Sequence, residues 1–131
     1  MKFVGIDPLP EHRPVSELRN GEFGADLHND ASFEGLEIHR SKREVVLRWH
    51  VRNSSWRQEG DRVVAGLTLV CRQVQLCTAE GKFVSEQRSG PAELDFVEYA
   101  ATGNAGSLRF VFEDKSEIEI IARSCEMLLL S

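Results

Sequence analysis

The sequence has few cysteines that could cross-link a small domain, and it lacks the glycine motifs that bind cofactors. Its 131 residues include three cysteines, an odd number, and no Cys-x-x-Cys pair. The ten glycines form neither a dinucleotide-binding fingerprint nor a phosphate-binding loop. No window approaches the roughly 18 consecutive apolar residues of a membrane-spanning helix. We therefore expect no cofactor, no disulfide framework and no membrane association.

Composition places the chain among globular proteins. Apolar residues make up 41% and charged residues 28%, and the formal net charge is −5. This length fits one domain, residues 1–131, with a core of its own. The net negative charge disfavours nucleic acid as a partner, because phosphate binding draws on clustered positive charge. The apolar run before Asp7 is shorter than the about 7–15 residues of a secretory signal. Cys71, Cys77 and Cys125 lie in apolar stretches, so we expect buried thiols and a cytoplasmic location.

Alternating apolar and polar residues predict a β-hairpin early in the chain. A tight turn at Ser41-Lys42 would pair Leu36 with Leu47. It would also pair Ile38 with Val45, and all four side chains would then face the core. A one-residue slip would turn them to solvent, so burial fixes this register.

Further segments carry strand, turn or loop patterns. In a strand over 63–76 the apolar phase changes, which predicts a β-bulge near residues 70–73. Residues 92–101 fit either a short helix or a strand. A three-residue loop at 114–116 would pair Phe112 with Ile118. The remaining segments are a loop at 53–61, a turn at 79–82, a strand at 83–87, a loop at 103–107 and a terminal strand at 125–130.

The first 32 residues contain three prolines that interrupt any long element. We expect a strand over 2–6, one helical turn over 15–19 and a turn at Asn20-Gly21. Seven or eight short strands separated by turns predict a mainly β protein. Its architecture would be a single-domain antiparallel β-sandwich or open barrel with little helix.

Asp26, His28 and Asp30 stand two residues apart, which would place them on one face of an extended segment. Carboxylate and imidazole groups can bind a divalent transition metal, and His beside Asp suits acid–base chemistry. The alternative is that these residues make the hydrogen bonds of a turn. A small metal-dependent or acid–base enzyme would use these three residues.

The sequence gives little support for a cysteine that acts as a catalytic nucleophile. Catalytic thiols need a lowered pKa, and Cys71 and Cys77 lie inside expected strands, whereas Cys125 adjoins an apolar tail. No glycine-rich elbow frames any cysteine or serine. We therefore expect no catalytic residues.

Charge is unevenly distributed along the chain. Residues 37–62 carry seven basic and four acidic side chains, whereas residues 92–131 carry three basic and eight acidic ones. Arg48, His50 and Arg52 would share the outward face of the first hairpin and could meet an acidic partner. The alternative is a solvated outer face neutralised by nearby carboxylates.

Leu27-His28 followed by residues 30–38 resembles the Leu-His-Asp-Ala-like start of a first hairpin in small bacterial β-rich proteins, many uncharacterised and some immunity-like. The resemblance covers about a dozen residues, with Asn29 between the His and the Asp. It implies a small β-rich cytoplasmic protein more than it implies an activity. We expect a non-enzymatic binding protein of a bacterial cytoplasm, and an immunity-like protein would use its acidic surface to mask a protein partner by complementary charge. The alternative to a protein partner is a homodimer paired through residues 125–130. The expected contact residues are acidic side chains of the last hairpin: Glu113, Asp114, Glu117 and Glu119.

Overall fold

A computed structural model describes residues 1–21, 23–52, 64–81 and 92–130. The predicted loop at 53–61 and strand at 83–87 lie outside these ranges. The described residues form a mainly β fold, as predicted, with one three-residue 3₁₀ turn, Arg40–Lys42. No helix in this part of the chain has the length and apolar character needed to cross a membrane. The strands are β1 (Lys2–Val4), β2 (Glu17–Asn20), β3 (Phe23–Asp26), β4 (Ala31–His39), β5 (Glu44–Val51), β6 (Gly66–Arg72), β7 (Leu76–Glu80), β8 (Leu94–Thr102), β9 (Ala105–Phe112), β10 (Glu117–Ala122) and β11 (Ser124–Leu130).

These eleven strands, more than the seven or eight expected, form two larger sheets and a hairpin. The five-stranded sheet has the order β1-β11-β6-β5-β4, and the four-stranded sheet has the order β7-β10-β9-β8. The pair β2-β3 stands apart from both sheets. Among the named strands, pairing is antiparallel except between β1 and β11, which run parallel. In the described part of the chain, two short connections lead directly from one larger sheet to the other, between β6 and β7 and between β10 and β11.

Side chains of the two larger sheets meet in a shared aromatic cluster. Phe33 of β4 lies 5.0 Å from Trp49 and 5.0 Å from Phe112 of β9, measured between ring centroids. Trp49 also lies 6.1 Å from Phe110. These tilted and edge-on contacts are the favoured geometries for aromatic pairs. One continuous core of buried side chains therefore joins both sheets.

The first hairpin has the predicted register. Leu36 lies opposite Leu47, and Ile38 lies opposite Val45. The connection differs from a simple tight turn, because the 3₁₀ turn is followed by Arg43 in the left-handed conformation. The expected burial of Ile38 is wrong, since this residue lies beside the turn that connects the two strands and is 48% exposed.

The β-bulge predicted near residues 70–73 is wrong. At this point the chain leaves the five-stranded sheet and enters the four-stranded sheet. β6 ends at Arg72, and Gln73 has a φ of 53°, so the chain turns sharply before β7. Leu76 consequently points to solvent, whereas Cys77 packs against the core. Register shifts occur elsewhere, between Phe33 and Gly35 and between Leu94 and Phe96.

Two connections in the last third of the chain differ from expectation. The ambiguous segment at 92–101 becomes strand β8, and the expected loop at 103–107 shrinks to a turn at Gly103-Asn104. Gly103 has a φ of 64°, which glycine adopts without the strain of a Cβ atom. In the last hairpin Ile118 lies opposite Phe110, so the predicted pairing with Phe112 is wrong by two residues. The apolar side chains still face the core.

The helical turn expected at 15–19 is also wrong. Val15 pairs with Val97 of β8, and residues 17–20 form β2, which pairs with β3 around the predicted turn at Asn20-Gly21. Extended pairing supplies hydrogen-bond partners that a single helical turn after Pro14 would lack.

The three cysteines are free. Cys71 and Cys125 are buried directly opposite each other on β6 and β11, and Cys77 is half-buried. A hydrogen bond with Cys125 and burial raise the pKa of Cys71, and burial raises the pKa of Cys77 to about 11. These two thiols therefore stay protonated and weakly nucleophilic at neutral pH.

Candidate functional site

Asp26 organises the turn between β3 and β4 instead of standing on an extended face. Its Oδ1 accepts the backbone N–H groups of His28 (3.0 Å) and Asn29 (3.2 Å), and its Oδ2 accepts the side-chain amide of Asn29 (2.8 Å). Burial alone would raise the pKa of Asp26, but these hydrogen bonds lower it below its ordinary value. The geometry is that of a turn stabilised by an aspartate side chain.

His28 connects this turn to the four-stranded sheet. Its Nδ1 lies 2.8 Å from the carbonyl oxygen of Leu94 and 3.4 Å from Oε1 of Glu113. A carbonyl oxygen only accepts, so Nδ1 carries the proton. The hydrogen bond to Leu94 raises the pKa of His28 despite partial burial, and the charges of Glu113, Asp26 and Asp95 raise it further. His28 thus links the turn to β8 through its hydrogen bond with the carbonyl of Leu94.

Asp30 completes the turn through its backbone. Its N–H donates to the carbonyl of Asp26, and its carbonyl accepts the N–H of Arg52. In the described ranges, no three His, Cys, Asp or Glu side chains are grouped so that they could hold a metal. The extended arrangement expected for Asp26, His28 and Asp30 is therefore wrong, and their role as metal ligands stays a prediction that this geometry does not favour.

We call the region around this turn the acidic end. It also contains the start of β8 and the β9–β10 turn, because the N–H of Glu113 donates to the carbonyl of Glu93 (2.9 Å). Arg52 supplies a positive charge here through its 3.0 Å ion pair with Glu93 and its hydrogen bonds to two backbone carbonyls. The acidic end is defined by these carboxylates: Asp26, Asp30, Glu93, Asp95, Glu113 and Asp114.

The predicted basic ridge is paired with carboxylates along its length. Arg48 forms an ion pair with Glu37 (2.5 Å), and Nδ1 of His50 lies 3.7 Å from Glu34. Arg48 and His50 lie two residues apart on β5 and share its outward face. Arg52 follows β5 and turns toward the acidic end. Opposite charges thus face each basic group, the arrangement expected of a solvated outer face.

Glutamates surround one arginine on the outward face of the four-stranded sheet. Arg109 of β9 lies 2.9 Å from Glu117 and 3.4 Å from Glu98, and the register places Glu119 directly opposite it. Glu80 lies opposite Glu117 on β7. We call this surface, Glu80, Glu98, Arg109, Glu117 and Glu119, the acidic face. Two of these carboxylates contact the guanidinium of Arg109, and two more lie on the neighbouring strands. With four acidic groups and one basic group, the face keeps a net negative charge.

Glu113 and Asp114, the other two predicted contact residues, lie on the exposed β9–β10 turn. The N–H of Ser116 donates to Oδ1 of Asp114 (3.0 Å), so this carboxylate takes part in the turn. The structure therefore divides the four predicted contact residues between two places. Glu117 and Glu119 belong to the acidic face, and the other two belong to the acidic end.

A basic pocket lies where both changes of sheet meet the β4–β5 connection. It has a volume of about 180 Å³ and is lined by Arg43, Gln73, Gln75 and Arg123. None of these was a predicted site residue. The change of apolar phase near residues 70–73 was the one sequence signal close to it. We call the four cations Arg40, Lys42, Arg43 and Arg123 the basic end.

The described residues thus define a mainly β protein with two larger sheets that share one core, an acidic face, an acidic end and a basic end. Its fold is similar to the crystal structure of an uncharacterized protein from Neisseria gonorrhoeae, with a TM-score of 0.51. The two chains are 11% identical, and the match covers 77% of this chain and 92% of that chain. At this identity the similarity shows the fold alone. No family model and no curated protein matches the chain.

Proposed function

We propose that this protein is a non-catalytic binding protein that docks a basic protein partner on its acidic face. The observation that carries the proposal is the arrangement around Arg109. Glu98 and Glu117 share this single guanidinium, and Glu119 stands opposite it. The side chains of Glu98 and Glu117 are 31% and 36% exposed, so a partner can reach them.

The sheet provides a rigid base for these charges. β9 is hydrogen-bonded to strands on both sides, and Phe110 and Phe112 anchor its inward face in the core. A partner would therefore meet carboxylates at fixed spacing, which favours specificity and fast association over raw affinity. The net charge of −5 adds a long-range attraction for a basic partner.

The mode of action is immunity-like, with the acidic face covering a positively charged cleft of a toxin. The setting is a bacterial cytoplasm. Three free thiols suit such a reducing compartment. The segment Leu27–Ile38, which resembles the entry to the first hairpin in small bacterial β-rich proteins, some of them immunity-like, supports the same assignment.

The test is binding to the basic protein encoded beside this gene. Affinity is measured by titration calorimetry in about 0.05 M and about 0.2 M NaCl, since screening weakens exposed charge pairs. The double variant Glu117→Gln/Glu119→Gln is expected to bind about tenfold more weakly at low salt. The matched control Glu34→Gln/Glu37→Gln removes the same charge from the five-stranded sheet and is expected to bind normally.

Equal weakening by the two pairs would assign the attraction to net charge and contradict a docking face. Absence of binding to any basic neighbour would contradict the proposal outright. Light scattering of the free chain is measured first. A 14.8 kDa species favours a monomer, whereas twice that mass supports the alternative homodimer paired through residues 125–130.

A further inference from the structure

We infer that the pocket between Arg43 and Arg123 binds a phosphate group. Its four lining residues come from three separate connections of the chain. Arg43 lies between the 3₁₀ turn and β5, Gln73 and Gln75 lie between β6 and β7, and Arg123 lies between β10 and β11. The pocket is therefore formed by the fold and not by any single segment of the chain.

Backbone hydrogen bonds hold the three connections together. The N–H of Val74 donates to the carbonyl of Arg43 (3.0 Å), and the N–H of Gln75 donates to the carbonyl of Ile121 (2.7 Å). The N–H of Arg123 donates to the carbonyl of Arg72 (3.2 Å). The polar side chains around the pocket are therefore attached to backbone that is positioned before a ligand arrives, which lowers the cost of binding.

Two of the lining residues have an unfavourable backbone conformation. Arg43 and Gln73 both have a φ of 53°, in the left-handed region that side chains other than Gly, Asn and Asp seldom adopt. Such strain persists where surrounding structure enforces it and clusters at ligand sites. A glycine at either position would avoid the strain but would remove a guanidinium or an amide from the pocket.

The arginines of the pocket differ from those on the strands. Arg48, Arg72 and Arg109 each form an ion pair with a glutamate. Among the ion pairs of the described residues, none involves Arg43 or Arg123. Within the described ranges, both guanidinium groups therefore keep donors available. On an acidic protein, two arginines that line one pocket and make no ion pair with the described residues favour an anionic ligand.

Charge and size together indicate phosphate. Two guanidinium groups match the charge of a phosphate monoester, about −1.5 to −2 at neutral pH, whereas a carboxylate would neutralise only one of them. Each guanidinium can donate two parallel hydrogen bonds to phosphate oxygens, and the glutamine amides can donate further ones. A volume of about 180 Å³ lies below the roughly 300–1,000 Å³ of drug-sized ligand sites. The pocket is open to solvent, since all four lining residues are exposed, and its size suits one anionic group.

The test is an NMR titration of the full chain with inorganic phosphate, glycerol 3-phosphate and acetate at constant ionic strength. We expect saturable shifts of the Val74, Gln75 and Arg123 amides, with no shift at Asn29 in the acidic end. Arg43→Gln and Arg123→Gln should each weaken binding about tenfold or more, because each removes charged hydrogen bonds. Arg13→Gln, which removes the same charge outside the pocket, should bind normally.

Tighter binding of glycerol 3-phosphate supports an organic monoester as the ligand, and equal binding supports free phosphate. Preference for acetate would overturn the assignment to phosphate. Shifts that spread over the molecule without saturating, or equal weakening by Arg13→Gln, would show diffuse charge attraction and overturn the site. Each variant is first compared with the wild type by its amide spectrum, so that loss of folding is recognised separately.

Discussion

The acidic end and the basic end lie at opposite ends of the first hairpin and use their charges differently. The nine residues of β4 separate them by about 30 Å. At the acidic end, Asp26 accepts backbone N–H groups, His28 donates to Leu94, and Arg52 meets Glu93. At the basic end, Arg43 and Arg123 make no ion pair within the described ranges.

This difference separates charges that hold the fold from charges that are available to a ligand. A charge with several hydrogen-bond partners is costly to remove, because its partners lose their bonds too. An exposed charge without partners contributes little to stability. Substitutions at the acidic end should therefore change the free energy of unfolding, and substitutions at the basic end should leave it nearly unchanged.

The largest effect is expected for Asp26→Ala. Loss of a side-chain acceptor that satisfies turn N–H groups costs about 1–2 kcal/mol, as at helix N-caps. Asp26→Asn keeps an oxygen in place of Oδ1 and should cost less. Because hydrogen bonds lower the pKa of Asp26, its stabilisation is present above the ordinary value of 3.8 and is lost as pH falls through the lowered value. Urea unfolding at neutral and acidic pH measures both differences.

Equal losses for Asp26→Ala and Asp26→Asn would contradict this account and assign the effect to the negative charge alone. A difference between wild type and Asp26→Ala that persists unchanged in acid would contradict the role of the ionised carboxylate.

The alternation of apolar and polar residues predicts some features of the fold and leaves others open. Alternation distinguishes one face of a strand from the other, so it predicts the pairing of Leu36 with Leu47 correctly. It does not distinguish registers that differ by two residues, and the last hairpin differs from prediction by that amount. There Lys115 has a φ of 73°, and Asp114 accepts the N–H of Ser116, so turn chemistry selects the register.

The pocket at the basic end could not be predicted from the sequence, because its residues come together only in the folded chain. Arg43, Gln73 and Arg123 lie far apart in sequence, and none belongs to a motif. Asp26, His28 and Asp30 show the opposite case, since their regular spacing suggested a shared face. Side-chain hydrogen bonds to the turn backbone prevented that arrangement. Local spacing is a weak guide where a side chain can bind its own backbone.

A smaller effect is expected for His28→Gln, and it should depend on pH. The hydrogen bond to Leu94 is the main cause that raises the pKa of His28 above its ordinary 6.5. The protonated form therefore stabilises the fold fully below pH 6.5, and this contribution is lost as pH rises through the raised value. The stability difference between wild type and His28→Gln should accordingly shrink from mildly acidic to alkaline pH in urea unfolding experiments.

Glu113→Gln provides the matched comparison for His28. It removes the nearby carboxylate and leaves the carbonyl of Leu94 in place, so the pH dependence should be reduced but still present. Complete loss of the pH dependence in Glu113→Gln would show that charge attraction, and not the hydrogen bond to Leu94, raises the pKa of His28.

The smallest effect is expected for Arg43→Gln, which tests the basic end directly. Its free energy of unfolding should stay within about 0.5 kcal/mol of the wild type, because the lost charge has no ion-pair partner among the described residues. Arg52→Gln removes the same charge at the acidic end and should cost roughly 1 kcal/mol, because Arg52 binds Glu93 and the carbonyls of Asn29 and Ala31. Arg43→Gly also relieves the left-handed strain and should be neutral or stabilising by up to about 1 kcal/mol. A loss for Arg43→Gln as large as that for Arg52→Gln would mean that the basic end holds the fold together, and the contrast between the two ends would be wrong.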